Sequence, residues 1–125
     1  IQMCIQELST CLQYGLPIKI INLNNAALGM VKQWQDMQYG GRHSSSTYEN
    51  SLPDFVALTE SYGHVGIKVS EFKDLEAAMK ESIALKDKLV FLDVDVDPNE
   101  HVYPMLEAGN AMDHMWLDKE KKTWE

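Results

Sequence analysis

Two adjacent amides follow an apolar run: Ile18, Ile20, Ile21 and Leu23 lead directly into Asn24 and Asn25. An asparagine carbonyl oxygen, together with nearby main-chain carbonyls, can ligate a hard divalent cation such as magnesium, an ion that also takes phosphate oxygens and a carboxylate. Gly29 would let backbone approach such a ligand closely. Met30 and Trp34, one helical turn apart, would form a pliable apolar wall around a small substrate. Each feature also has a plainer reading. Asparagine tolerates the left-handed region and bonds its own backbone, so the pair suits an ordinary turn. Met30 and Trp34 equally suit the buried face of a helix.

The elements that position these residues follow from hydrophobic period. Leu16 to Leu23 is β-branched-rich and reads as a strand buried on both faces of a parallel sheet. After the small pair Ala26 and Ala27, apolar Met30, Val31, Trp34 and Met37 recur at helical spacing. Strand, tight turn and amphipathic helix make half of a βαβ unit. In open parallel sheets ligands bind outside the carboxyl ends of strands, where helix N-termini offer N–H groups, and this turn has that place.

Before it, Ile1, Ile5, Leu8 and Leu12 predict one helix, stopped by Gly15 and Pro17. After it, Gln38 to Ser51 has no apolar period and is rich in Gly, Ser and Asn, which marks a loop long enough to be a functional lid. Pro53 then opens a helix carrying Phe55, Val56, Leu58 and Tyr62, closed by Gly63. His64 to Val69 reads as a second strand. Ser70 or Asp74 is expected to cap a helix whose stripe is Leu75, Ala78, Met79 and Ile83. Leu89 to Val96 reads as a third strand, buried at its start and alternating at its end. The fold class is therefore α/β, a parallel sheet flanked by helices. From Asp97 the period is lost. Val102, Tyr103, Met105, Leu106, Met112, Met115 and Trp116 are nevertheless too many apolar side chains to sit in water, so this tail is expected to fold back on the domain or on a neighbouring subunit.

With 125 residues, 45% hydrophobic and 24% charged, the chain has the make-up of one soluble domain or part of one. Nineteen acidic against eleven basic residues give a net charge of −8, which argues against nucleic acid and anionic lipid as partners. No apolar run approaches a membrane span, and no basic region followed by an apolar one opens the chain. Cys4 and Cys11, read on one helix about 10 Å apart, are expected to be free thiols in a reducing compartment. Asp93, Asp95 and Asp97 imitate the start of a calcium loop, but Pro98 and Pro104 stand where a glycine and a bidentate glutamate belong. His43, His64, His101 and His114 have neither ligand spacing nor a nucleophile motif beside them, and read as surface or hydrogen-bonding residues.

The run NLNNAALGMVKQWQDMQYGGRHSSS, followed by SLPDFVALTESYGHVG and VFLDVDVDPNEHVYPM, closely resembles the C-terminal end of the large catalytic subunit in the acetohydroxyacid synthase (acetolactate synthase) family, most of all its bacterial valine-sensitive type. The resemblance covers essentially the whole chain and rests on the combination of NN, GMVKQWQ and EHVYPM. It implies a partial thiamine-diphosphate-binding fold, residues 1–97 being the C-terminal half of that domain and 98–125 a tail or lid. The family signature runs from Gly-Asp-Gly through a helix and a strand to Asn-Asn, and IQMCIQEL resembles the stretch immediately after Gly-Asp-Gly. The chain is thus expected to begin inside the signature, without the aspartate that ligates magnesium.

By the same resemblance Asn25 would be the side-chain Mg2+ ligand and Ala27 would supply a main-chain carbonyl to that ion. Met3, Gly29 and Met30 would lie at the thiamine diphosphate, Met30 beside the reacting ketoacid, and Trp34 would shape the pocket towards the larger acceptor. Gln38 to Ser51 would order over the site. The implied reaction decarboxylates pyruvate and joins the remaining two-carbon unit to a second pyruvate or to 2-ketobutyrate, at the start of branched-chain amino-acid synthesis. The activating glutamate and the FAD-binding domain would lie outside this chain, so it carries no catalytic residue of its own and is expected to be inactive alone, with poor stability or self-association. A homodimer or tetramer, a regulatory small subunit and a cytoplasmic location are implied too. The alternatives are another thiamine-diphosphate ketoacid carboligase or decarboxylase, and a non-catalytic α/β binding module.

Overall fold

The computed structural model describes residues 1–48 and 50–118. In chain order a 3-10 turn, Gln2–Cys4, precedes α1 (Glu7–Gln13), β1 (Lys19–Asn24), α2 (Gly29–Gln38), α3 (Phe55–Ser61), β2 (Val65–Val69), α4 (Phe72–Ala84) and β3 (Val90–Asp95). The chain divides into two compact units. One comprises Ile1–Asn25 and Tyr48–Val96; the other comprises Ala26–Thr47 and the described residues from Asp97 on.

The first unit is the α/β layer. Its three strands are parallel in the order β1-β3-β2, as the long crossovers predict. Ile21 and Ile67 both stand opposite Leu92, so the strands share one pleat and their side chains sort into two faces. On one face Val90, Leu92, Val94 and Val69 pack with Ala78, Leu75 and Met79 of α4. On the other, the Phe55 ring of α3 stacks on Phe91 with centroids 6.0 Å apart. Gly66 is required there: a Cβ on it would lie 2.9 Å from the Val56 Cα. Leu8, Cys11 and Leu89 form a second apolar cluster, joined by Ile5, Ile20 and Tyr62. Lys19, at the start of β1, donates from Nζ to the carbonyls of Leu85 (2.7 Å) and Lys88, just past α4, where cations suit the negative end of the helix.

Several expectations are corrected here. β1 is not buried on both faces: Ile21 is 48% and Leu23 67% exposed, because β1 is an edge of the described sheet and α4 leaves its end uncovered. β3 does not alternate at its end. It is buried from Val90 through Val94, Asp93 included, because it runs between two strands. The predicted single N-terminal helix is a 3-10 turn and then α1, so Cys4 and Cys11 do not share a helix; Cys4 is exposed and Cys11 buried, and both are free. Neither Ser70 nor Asp74 caps α4. Glu71 holds the cap position without a side-chain bond, and the Ser70 hydroxyl goes to Asp95 instead (2.8 Å). Ile83 is 61% exposed while Ser82 is buried, since the face of α4 turned to the sheet continues from Leu75 and Ala78 to Ser82. Pro53 is not in the first turn of α3 but precedes its cap: the helix starts at Phe55, with Asp54 as the cap accepting from the Ala57 N–H at 3.0 Å.

The second unit holds α2 and two irregular segments. The buried residues of α2 are Lys32 and Gln33, not the expected stripe of Met30, Val31, Trp34 and Met37; Met30 and Val31 are 48% and 45% exposed. Gln33 is buried without penalty because its amide is satisfied twice: Nε2 donates to the Val102 carbonyl (2.8 Å) and Oε1 accepts from the Val102 N–H (2.9 Å). Within the tail, Met105 and Trp116 exchange both backbone hydrogen bonds at 2.8 Å. No helix among the described residues is long and apolar enough to cross a membrane.

Candidate functional site

The carboxyl end of the first unit's sheet carries a row of polar side chains on one face. Asn22 and Lys68 both stand in register with Asp93. Asp93, 3% exposed, accepts from Asn22 Nδ2 at 2.7 Å, from Asn24 Nδ2 at 3.2 Å and from Lys68 Nζ at 2.8 Å. Lys68 also reaches Asp95 Oδ1 (2.5 Å), whose other oxygen takes the Ser70 hydroxyl. Burial works against the Lys68 charge, but the hydrogen bonds and charges of Asp93 and Asp95 outweigh it and hold its pKa above the usual 10.5. Burial likewise opposes the Asp95 charge, and the bonds from Lys68 and Ser70 with the Lys68 charge hold its pKa below 3.8. Of the three aspartates singled out for a calcium-like spacing, Asp93 and Asp95 are thus ion-pair partners of a lysine, while Asp97 accepts from the Asn99 N–H at 2.8 Å. Asn24 is committed to this row, and Asn25 follows it as the last residue of the first unit.

The turn itself is tighter than an asparagine turn requires. The residue in the left-handed region is Ala26, at φ 51°, not either asparagine. Such a conformation costs a residue with a Cβ on the order of 1 kcal/mol and persists where the surroundings dictate it. In the second unit Ala27 pairs with Thr47 across an antiparallel bridge, and the Leu28 N–H donates to the Ser46 carbonyl at 2.8 Å. Leu28 then opens α2 with no side-chain cap, and no acidic residue stands in the first turn. An uncapped first turn is the kind of helix end that receives an anion.

The far half of α2 anchors its neighbours in the second unit. Gln35 accepts from the buried Ser46 hydroxyl (2.5 Å) and donates to the Ser44 carbonyl (3.1 Å). Asp36 receives three groups: Lys32 Nζ at 2.8 Å, His43 Nε2 at 2.6 Å and His101 Nε2 at 3.0 Å. Burial opposes the Asp36 charge, but the bonds and charges of Lys32 and His43 prevail and hold its pKa below 3.8. Reading the four histidines as scattered misses this convergence of two of them. The Lys32–Asp36 spacing was visible as an i,i+4 pair, but nothing local announces that residue 101 joins it.

Of the predicted site residues, Asn25 closes the first unit, while Ala27, Gly29, Met30 and Trp34 follow in the second, Gly29 being the first residue of α2. Met30 is half exposed and Trp34 half-buried. Met3 stands on the 3-10 turn with its side chain 93% exposed. Among the described residues no group of three or more His, Cys, Asp or Glu could hold a metal ion. An ion at this turn would therefore draw on amide and carbonyl oxygens, completed from outside. That donor set fits a hard cation shared with phosphate, and the uncapped α2 start fits the phosphate.

A family profile described as thiamine pyrophosphate enzyme, C-terminal TPP binding domain, matches residues 1–94. The acetolactate synthase large subunit of Haemophilus influenzae is 61% identical over 119 residues, covering 95% of this chain and 21% of that protein. The acetolactate synthase isozyme 3 large subunit of Escherichia coli is 59% identical over 125 residues, covering 98% and 22%. Among solved structures, the thiamine diphosphate-dependent 4-hydroxybenzoylformate decarboxylase of Rhodococcus jostii matches with a TM-score of 0.66 at 29% identity, over 74% of this chain and 17% of that one. The chain thus spans about a fifth of the length of the curated relatives it matches. Fold, uncapped helix start and profile agree that this chain belongs to the thiamine pyrophosphate enzymes, as their C-terminal TPP-binding domain.

Proposed function

We infer that the chain is the part of an acetolactate synthase large subunit that grips the diphosphate end of thiamine diphosphate and shapes the ketoacid pocket. The observation that carries this reading is identity of about three residues in five with acetolactate synthase large subunits across nearly the whole chain. The donor set at the β1–α2 turn supports it. Asn25 through its side-chain oxygen and Ala27 through its carbonyl would hold Mg2+, and the first turn of α2 at Gly29 would meet diphosphate oxygens. Met3 and Met30 would contact the cofactor, and Met30 and Trp34 would wall the substrate. When bound, thiamine diphosphate supplies the electron sink for decarboxylating a ketoacid and joining the product to a second one. This chain's residues orient the cofactor and set the acceptor's room; the activating glutamate and FAD would be held elsewhere in the parent.

Loop 38–51 and the tail 98–125, of which residues 49 and 119–125 lie outside the described residues, would close over the site and exclude water, residues 1–97 forming the cofactor half-domain. Ketoacids would be the substrates, with a homodimer or tetramer, a regulatory small subunit and a cytoplasmic setting for the parent. The test is acetolactate formation from pyruvate by the full-length protein with thiamine diphosphate and magnesium. Asn25→Ala should raise the magnesium concentration needed for half-maximal rate at least about tenfold. Absence of acetolactate from the wild-type protein, with another ketoacid product in its place, would favour a different decarboxylase of the same fold, the reading to which the Rhodococcus match lends weight. Acceptor preference of a Trp34→Leu variant then separates the two: a shift from 2-ketobutyrate towards pyruvate belongs to the synthase.

A further inference from the structure

One carboxylate on α2 serves two separate stretches of chain. Asp36 Oδ1 lies 2.6 Å from His43 Nε2, which belongs to the irregular segment after α2. Its Oδ2 lies 3.0 Å from His101 Nε2, which belongs to the tail. Lys32, on the previous turn of α2, reaches the same Oδ2 at 2.8 Å and also donates to Asn99 Oδ1 at 3.2 Å. The other side chains of α2 divide the work. Among the described residues outside the helix, the Gln35 side chain holds Ser44 and Ser46, and the Gln33 side chain holds Val102. The side chains of Asp36, His43 and His101 are 24%, 31% and 12% exposed, so these ion-pair contacts form where water competes poorly.

We propose that Asp36 is a positioning residue that couples the two segments, so that seating either one on α2 favours seating the other. The physical reason is that a carboxylate already ordered and partly desolvated by one imidazole presents its second oxygen to the next at less entropic cost. Three cationic or titratable groups face Asp36: Lys32 from its own helix, His43 from the loop and His101 from the tail. The importance of the coupling for catalysis rests on the function inferred above, because α2 also carries Met30 and Trp34. The coupling itself can be measured without turnover.

Hydrogen exchange in the full-length protein at one fixed pH is the experiment. His43→Ala removes a partly exposed loop side chain, and it should raise exchange at the Val102 amide in the tail about tenfold, the loss of one charge-assisted hydrogen bond. Asp36→Asn should raise exchange in residues 43–47 and 99–102 together. A His43→Ala effect confined to the loop, with Val102 unchanged, overturns the proposal, as does an Asp36→Asn effect confined to one of the two segments. Transmission from His43 to Val102 in a protein that forms no acetolactate upholds the coupling and removes the functional reading. Acetolactate formation without transmission does the reverse.

Discussion

Asn22 and Asp93 are register partners on adjacent parallel strands, and the Asn22 amide donates to the Asp93 carboxylate at 2.7 Å inside the sheet layer. With Lys68 on the other flank, Asp93 is a buried charge held by one strand on each side. Removing one partner of such a pair leaves an uncompensated charge. Lys68→Met should therefore destabilise the fold by about 1–2 kcal/mol, less than a fully buried pair because the lysine side chain is 43% exposed. Urea unfolding of the full-length protein and its variant checks this. Asp93→Asn in the Lys68→Met background should recover part of the loss.

The same ion pairs set the pH limits. The pKa values of Asp36 and Asp95 are lowered on folding, so their stabilisation is complete above the ordinary carboxylate value of 3.8 and is lost as pH falls through the lower folded values. Asp36 contributes more than Asp95, whose side chain is 43% exposed and better screened by solvent. The Lys68 pKa is raised, so its share is complete below 10.5 and is lost as pH rises through the higher folded value. The urea midpoint should be flat near neutrality and drop at both extremes, and Lys68→Met should flatten the alkaline limb.

Gly66 lets α3 lie against β2. An alanine there would bring its Cβ within 2.9 Å of the Val56 Cα, and backbone cannot swing away as a side-chain tip can. Gly66→Ala should cost about 1–3 kcal/mol, with the loss visible as a lowered melting temperature. A neutral result would mean that α3 shifts without disturbing the Phe55–Phe91 stack.

Thr59 is fully buried on α3, and its hydroxyl has no hydrogen-bond partner among the described residues. A buried hydroxyl without a partner costs free energy that a methyl group of similar size does not. Thr59→Val should stabilise the fold by up to about 1 kcal/mol. A loss of stability of that size in thermal unfolding would show that the hydroxyl is satisfied after all.

Much of the α/β layer was legible because its signals are local. The apolar runs ending at Leu23, Val69 and Val94 mark β-strands wherever they occur, and long crossovers leave parallel pairing as the only short route. The position of the β1–α2 turn was legible for the same reason. Its strain was not: both asparagines looked fit for the left-handed region, yet Ala26 occupies it, while the Asn24 side chain joins the Asp93 row.

The sequence by itself determined the three strands, the helices α2 to α4, the parallel sense of the sheet and the place of the β1–α2 turn, since each follows from side-chain period and turn chemistry over a few residues. Which face of α2 is buried, and which charges meet, only the tertiary structure decided. Period alone assigns Met30 and Trp34 to the interior and Lys32 and Gln33 to solvent. The fold instead buries Lys32 and Gln33, leaving Met30 half exposed and Trp34 half-buried, because Asn99 and Val102 bring hydrogen-bond partners that satisfy the two polar side chains. Likewise Asp93 is an ordinary acidic residue in the chain, and becomes a buried ion-pair partner once Asn22 and Lys68 arrive from 71 and 25 residues away. Burial of a polar group depends on partners remote in sequence, and no local pattern encodes them.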